Sequence, residues 1–292
     1  MWAHVFAMSI HLMTKTLCPT PGCTNASVIR KGFFRISYNN QKVRRYFCKS
    51  CEKGFSFRTN TSTYKQLKPY LNKPIRSLLS SGMTMRGVAR HLRVSKTTVS
   101  RKFLLVSQEP PATLAPEELQ FDELETIHHT KCKPLSILAC VSGNGGLIAL
   151  KVAEMPAKGR LAEFSVKKYG KRKDDRAQVL EKTLLEISKS GPHPKLIKTD
   201  AHPSYKKYVQ SLFPMSEHQV FNRSQKEKLQ SRLHEKNQKT KFDPLFQVNH
   251  LCARLRADIR RLTRRSWCTT KRPDYLQRHL DLYSNERLGI PV

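Results

Sequence analysis

The sequence predicts a multidomain α+β fold, and three observations carry that expectation. Its 292 residues, 38% of them hydrophobic, suffice for two or three compact units with a sizeable buried core. Charge is spread unevenly: from Lys15 to Gln108 there are 20 Lys or Arg and one acid, Glu52, so 21 of the 22 acidic residues come later. Strand-like apolar segments cluster after residue 118 and give way to helical patterns towards the end. The first part therefore reads as a basic module and the rest as a mixed-charge α/β domain.

The balance of 54 Lys and Arg against 22 Asp and Glu, a formal +32, excludes a generic metabolic enzyme and implies a polyanionic partner, nucleic acid first of all. No apolar run approaches the ~20 residues of a membrane span. The opening Met1–Met13 lacks a basic n-region and a small-residue cleavage site. Residues 1–14 read as a frayed or misassigned start, with Met8 or Met13 as alternative initiators, and the expected location is cytoplasmic.

Residues 15–62 read as a zinc ribbon. Cys18 and Cys23, then Cys48 and Cys51, form Cys-x4-Cys…x24…Cys-x2-Cys. Two thiolate pairs on tight turns, separated by strand-forming Ser27–Tyr38 and Val43–Phe47, can close one tetrahedral Zn²⁺ site. So small a core needs the metal to stay folded. Arg30, Lys31, Arg35, Lys42, Arg44 and Arg45 alternate there with Phe33, Phe34, Tyr46 and Phe47, and Arg44 and Arg45 are candidate DNA contacts. The other cysteines, Cys132, Cys140, Cys252 and Cys268, read as small buried hydrophobes.

Residues 63–107 read as a helix-turn-helix. Val88, Ala89 and Leu92 recur at helical spacing, Val94 fills a turn, and Ser95 is an N-cap candidate. In the helix that follows, Val99 and Phe103 point inward, while Lys96, Thr97, Thr98, Ser100 and Arg101 are free to meet the major groove. Lys65–Leu79 supplies a supporting helix. Gln108–Pro116, rich in proline, reads as a linker over 108–117.

From 118 to 270 the pattern is strand Leu119–Thr126, strand Leu135–Ser142, strand Leu147–Met155, helices, strand Leu196–Thr199, then helices. Residues 222–241, with seven basic and two acidic side chains, read as a basic insertion, and 271–292 as a C-terminal helix and tail. Asp122 lies inside the first strand and Asp200 ends the fourth. A buried strand tolerates a carboxylate poorly unless a cation or donor meets it, and two such aspartates can share divalent cations, Mg²⁺ or Mn²⁺. A turn-forming role for either residue is the competing explanation.

At these residues the chain resembles a family. Arg45-Tyr46-Phe47-Cys48 through Cys51 to Phe55, Phe121-Asp122-Glu123-Leu124, Thr199-Asp200 with Tyr205, and Arg254-Leu255-Arg256 through Arg261–Trp267 to Lys271 are similar to segments of bacterial insertion-sequence transposases of the insertion-sequence-one type. The resemblance covers residues 18–285. It implies an RNase H-like catalytic domain in which Asp122 and Asp200 are the first and second metal ligands. The third acid of the family falls on Val248-Asn249, where this chain has no carboxylate. Val248, Leu251, Cys252, Leu255, Ile259 and Leu262 form one apolar stripe, which puts Asn249 at its edge and His250 on the far side. Either Asn249 or His250 completes the site, or another acid (Glu235, Asp243) does, or catalysis is lost. Arg254, Arg256, Arg260, Arg261, Arg264 and Arg265 are expected on one helix facing the DNA backbone. His128, His129 and His202 lie close in sequence to the candidate carboxylates, and Glu123 and Glu125 read as supporting or surface groups.

The expected function is that of a DNA transposase binding the terminal inverted repeats of its own element, at least dimeric on double-stranded DNA and nucleoid-associated. The competing class is a non-catalytic DNA-binding protein, a decayed or repurposed transposase acting as a repressor.

Overall fold

Two alternating segments of the basic module, β1 (Val28–Arg35) and β2 (Lys42–Cys48), pair as an antiparallel hairpin, and β3 (Gly54–Phe55) adds a third strand beside β2. The pairing slips between Arg30 and Phe33, where Gly32 takes φ +72, a bulge that a side chain would strain. Among the described residues up to Tyr70, Ile36, Val43, Cys48 and Phe55 are the buried apolar ones, a very small core. The computed structural model describes residues 16–24, 27–61, 63–221, 243–263 and 268–290. The expectations for 1–14, the basic insertion with Glu235, and Arg264 and Arg265 lie outside the described residues.

The chain divides into two compact units between Tyr70 and Leu71. The second opens with three short helices, α1 (Asn72–Ser80), α2 (Met85–His91) and α3 (Lys96–Val106). Thr84 Oγ1 accepts the Gly87 N–H and Ser95 Oγ accepts the Thr98 N–H, each at 3.1 Å, so both of the later helices start on a hydroxyl cap. Leu71, Ile75, Leu79, Val88, Val99, Phe103 and Val106 form their core. One leucine of that core comes from far away: Leu282, on the C-terminal helix α8 (Pro273–Arg287).

The large sheet contains β4 (Glu118–His128), β5 (Thr130–Ser142), β6 (Leu147–Glu154), β7 (Leu196–Asp200) and β8 (Glu217–Phe221) in the order β6-β5-β4-β7-β8. The first three form an antiparallel meander, and β7 and β8 run parallel to β4. Between them lie α4 (Leu161–Tyr169), α5 (Arg176–Lys189) and α6 (Pro203–Leu212); α7 (Phe246–Asp258) and α8 follow. Alternation along each strand feeds two cores. Leu119, Phe121, Leu138, Cys140 and Ile197 meet Leu180, Leu184, Tyr205 and Val209 of α5 and α6. On the other face Leu124, Leu135, Ile137, Ala139 and Val141 meet Val248, Cys252 and Leu255 of α7 and Leu276 and Leu280 of α8. Burial on both faces explains why Leu135–Ser142 reads as one apolar run rather than an alternation.

One expectation needs correction. The arginine-rich segment is not one helix: α7 ends at Asp258, and Ile259 turns extended (φ −103, ψ 102). A close backbone approach lies at this helix end, where a Cβ on Gly82 (φ +84) would stand 2.7 Å from the Asp258 carbonyl oxygen. Arg260 and Arg261 therefore follow the helix rather than extend it. The strand β8, mostly polar in sequence, was not anticipated and forms the far edge of the sheet. The segment Gln108–Pro116 has no regular structure but is tied down, with Gln108 O accepting from Asn285 Nδ2 at 2.7 Å and Thr113 Oγ1 donating to Ile148 O at 3.3 Å.

Candidate functional site

In the first unit the turns at each end of the hairpin bring Cys18, Cys23, Cys48 and Cys51 together, all four sulfurs within 4.8 Å of one another. Cys18 Sγ lies 3.5 Å from Cys51 Sγ and Cys23 Sγ 3.7 Å from Cys48 Sγ. A tetrahedral Zn²⁺ with bonds of about 2.3 Å requires sulfurs about 3.8 Å apart. The cluster could therefore hold a structural zinc. On the hairpin, Arg44 lies 3.9 Å and Lys42 4.5 Å from the Phe33 ring, Arg45 5.2 Å from Phe34, and Lys31 4.6 Å from Phe47, so that cations stack on rings on both faces of the hairpin.

The two aspartates meet in the large sheet. The parallel register of β4 and β7 ends with Gln120 beside Lys198, and two residues beyond it Asp122 and Asp200 both project from that same face, near enough for the Asp200 charge to act on Asp122. Burial pushes the Asp122 carboxyl up to about 6, and the neighbouring Asp200 charge adds to the rise. The Glu123 N–H, 2.7 Å from Asp122 Oδ1, and the His202 charge work the other way. Asp200 Oδ1 accepts the His202 N–H at 3.1 Å, which fixes the carboxylate at the start of α6. The His202 ring lies 4.8 Å from Tyr205, and its Nδ1 is buried with no hydrogen-bond partner. Tyr205 is buried in the core beneath α5 and α6, its ring 5.0 Å from that of Phe121; desolvation first, then the charges of Glu123, Asp122 and Asp200, hold its phenol far above the usual range.

Glu123 faces the opposite side of the sheet, accepting from Ser136 Oγ at 2.8 Å with Arg176 at 4.0 Å. Glu125 is exposed and paired with Lys158 at 2.6 Å. His128 donates its Nε2–H to Lys271 O at 2.7 Å, and His129 stands at φ +55; both rings lie at the far end of β4.

The α7 side chain that feels the Asp122 charge is Cys252, whose thiol burial and that charge together push up to about 11. Sequence reasoning treated Cys252 only as part of the apolar stripe, and nothing local to it signals an acidic neighbour. Asn249 and His250 are both exposed. Asn249 Nδ2 donates to Asp243 Oδ2 at 2.8 Å, while His250 stacks on Phe246 with ring centres 5.4 Å apart. Among the described residues the four cysteines are the one group of three or more Cys, His, Asp or Glu side chains close enough to share a metal, so no third ligand of those types joins Asp122 and Asp200 there.

The basic candidates are placed unequally. Lys96, Thr97 and Arg101 are exposed on α3, and Thr98, whose N–H donates to the Ser95 cap, is half-buried. Arg260 is exposed, Arg254, Arg256 and Arg261 are half-buried, and burial lowers the Arg261 pKa. No helix among the described residues is long and apolar enough to cross a membrane.

No protein-family model and no curated protein matches the chain. Among solved structures it is similar to a chain in the cryoEM structure of the simian T-cell lymphotropic virus intasome in complex with PP2A regulatory subunit B56 gamma. The match has 12% identity, covers 62% of this chain and spans 64% of that one, at a TM-score of 0.26. A likeness so faint carries no argument about function.

Proposed function

We propose that the chain is a DNA transposase of the Asp-Asp-Glu class with its third acidic position altered. The observation that carries this reading is the pairing of Asp122 with Asp200 on neighbouring parallel strands, one of the two kept reluctant to ionise by burial and by the other. The strand order β6-β5-β4-β7-β8, an antiparallel meander continued by parallel strands, suits an RNase H-like unit. Two carboxylates sharing a face are a hard-oxygen donor set that gains from a divalent cation, so the residues present fit Mg²⁺ or Mn²⁺. Bound there, the metal would polarise a phosphodiester and lower the pKa of the attacking water or hydroxyl.

The chain's own groups would then position and align. The His202 N–H holds Asp200 and the Glu123 N–H holds Asp122, so both carboxylates are oriented before DNA arrives. The exposed side chains Lys96, Thr97 and Arg101 of α3, with Arg44 and Arg45 of the hairpin, would bind the inverted repeats of the element. Water would open the phosphodiester at the element end and free a 3′-OH, which would then attack target DNA. Holding two ends at once requires at least a dimer.

The test supplies precut element ends carrying a 3′-OH and a labelled target duplex. Joined product in Mg²⁺ or Mn²⁺ is the expected result. Tight binding of the ends without joining would favour the second reading, a DNA-binding repressor. One observation favours that reading: Asn249 spends its amide on Asp243, and α7 gives the pair no carboxylate.

A further inference from the structure

Helix α4 is unusual in what it leaves outside. Ser165 is its one buried residue, donating from Oγ to Cys132 O at 2.6 Å. Leu161, Phe164 and Lys168 are exposed at i, i+3 and i+7, which aligns them along one flank. Phe164 keeps 53% of its surface in solvent.

Cations are stacked along that flank. Lys168 Nζ lies 5.7 Å from the Phe164 ring and 5.5 Å from the Tyr169 ring, and Lys133 Nζ, from β5, lies 4.1 Å from Tyr169. Two ammonium groups thus share one aromatic ring, an arrangement that gains from an anion beside it. The nearby carboxylates are engaged elsewhere: Glu125 with Lys158, Glu154 with Arg172, Asp174 with Arg176 and Asp175 with Lys173. Among the described residues Lys131, Lys133, Lys167, Lys168 and Lys171 have no carboxylate in ion-pair range. Glu163 is the one acid on the helix itself.

A solvated charged face needs no exposed aromatic ring, and an apolar protein contact would be weakened by five unpaired lysines. We infer that the α4 flank, with Lys133 and Tyr169, binds single-stranded DNA, its phosphates on the lysines and a base stacked on Phe164. Double helices hide their base faces, so an exposed ring between cations suits unpaired bases better. This surface is separate from α3 and from the Asp122–Asp200 pair. It rests on the DNA-processing reading only in that the same molecule handles both strands.

The test measures anisotropy of a labelled 20-nucleotide thymidylate strand with the full chain, against a duplex of equal length. Phe164→Ala should weaken single-strand binding about tenfold and leave duplex binding unchanged. In Lys133→Ala/Lys168→Ala the plot of log affinity against log salt should become shallower by about 1.4, from about 0.7 for each lost phosphate contact. Circular dichroism checks that the variants fold, as substitution of an exposed ring should allow. Unchanged single-strand affinity and salt slope in both variants would overturn the assignment, as would equal losses on strand and duplex from Phe164→Ala. Loss of self-association by Phe164→Ala with strand binding intact would assign the flank to a second copy of the chain instead. Failure of end joining with strand binding retained would count against the transposase reading and leave this one standing.

Discussion

Leu282→Ala is the substitution with the most to say about how the helices α1, α2 and α3 and the large sheet are joined. Leu282 is 1% exposed and lies in the core of α1, α2 and α3, although it belongs to α8, whose Leu276 and Leu280 pack under the sheet. The three helices have 9, 7 and 11 residues, each too short to persist without tertiary support. Truncating a fully buried leucine costs about 2–5 kcal/mol through lost transfer energy and the cavity left behind. For a unit of this size, each kcal/mol lowers Tm by about 2–4 °C, so a loss of roughly 6–12 °C is expected for a cost near 3 kcal/mol. A second clasp is testable beside it. Arg76, with its side chain 10% exposed, donates Nε to Glu286 at 2.8 Å and also reaches the Ile290 carbonyl. Glu286→Ala leaves that guanidinium with the carbonyl alone, at a cost on the order of 2 kcal/mol. The assay is thermal unfolding followed by duplex binding below Tm, with the isolated 71–107 segment as a control that should be mostly unfolded. A cooperative, helical 71–107 fragment, or an unchanged Tm for Leu282→Ala, would refute the claim that α8 completes the helical core.

Cys48→Ser should abolish binding of one Zn²⁺ per chain and melt the small sheet, read by metal analysis and by loss of specific DNA affinity; a metal-free chain that binds specifically would refute it. Because the Asp122 pKa is raised from its ordinary value to about 6, the native state binds more protons than the unfolded chain between those values, so ionisation costs stability as pH rises through that window. Without divalent cation, Asp122→Asn should therefore raise Tm at pH 7.5 and leave it nearly unchanged at pH 4, while added Mn²⁺ should stabilise the parent more than the variant. Arg101→Ala should weaken specific more than non-specific duplex binding, with equal losses demoting it to a phosphate contact. Asn249→Glu should match or exceed the parent in end cleavage if position 249 reaches the pair when DNA is bound, and a dead variant would assign the third ligand elsewhere.

Patterns of period two and local caps were legible in the sequence because they are set by neighbouring residues. The meander β4–β5–β6, the Ser95 cap and the inward Val99 and Phe103 all follow from such patterns. The approach of Asp122 to Asp200 was not local: it depends on β4 and β7 lying parallel across 78 residues, and it was suggested by carboxylates placed in apolar strands and by the family resemblance, not by periodicity. Nor could periodicity end α7, since Ile259 and Leu262 continue its stripe and are buried, but in a turn beyond the helix end, where Gly82 approaches the Asp258 carbonyl. The Arg76–Glu286 clasp joins residues 210 apart, beyond any window that a sequence pattern can span. The edge strand β8 escaped because Glu217-His218-Gln219-Val220-Phe221 carries little of the apolar signal that burial leaves on central strands.

Cleavage of element-end DNA by the parent chain, Asp122→Asn and Asp200→Asn, measured with and without Mg²⁺ at equal occupancy of the ends, tests the central claim most directly. Metal-dependent nicking by the parent, with both variants bound but inert, is the predicted result. Cleavage by both variants at the parent rate would remove Asp122 and Asp200 from the chemistry and contradict the account.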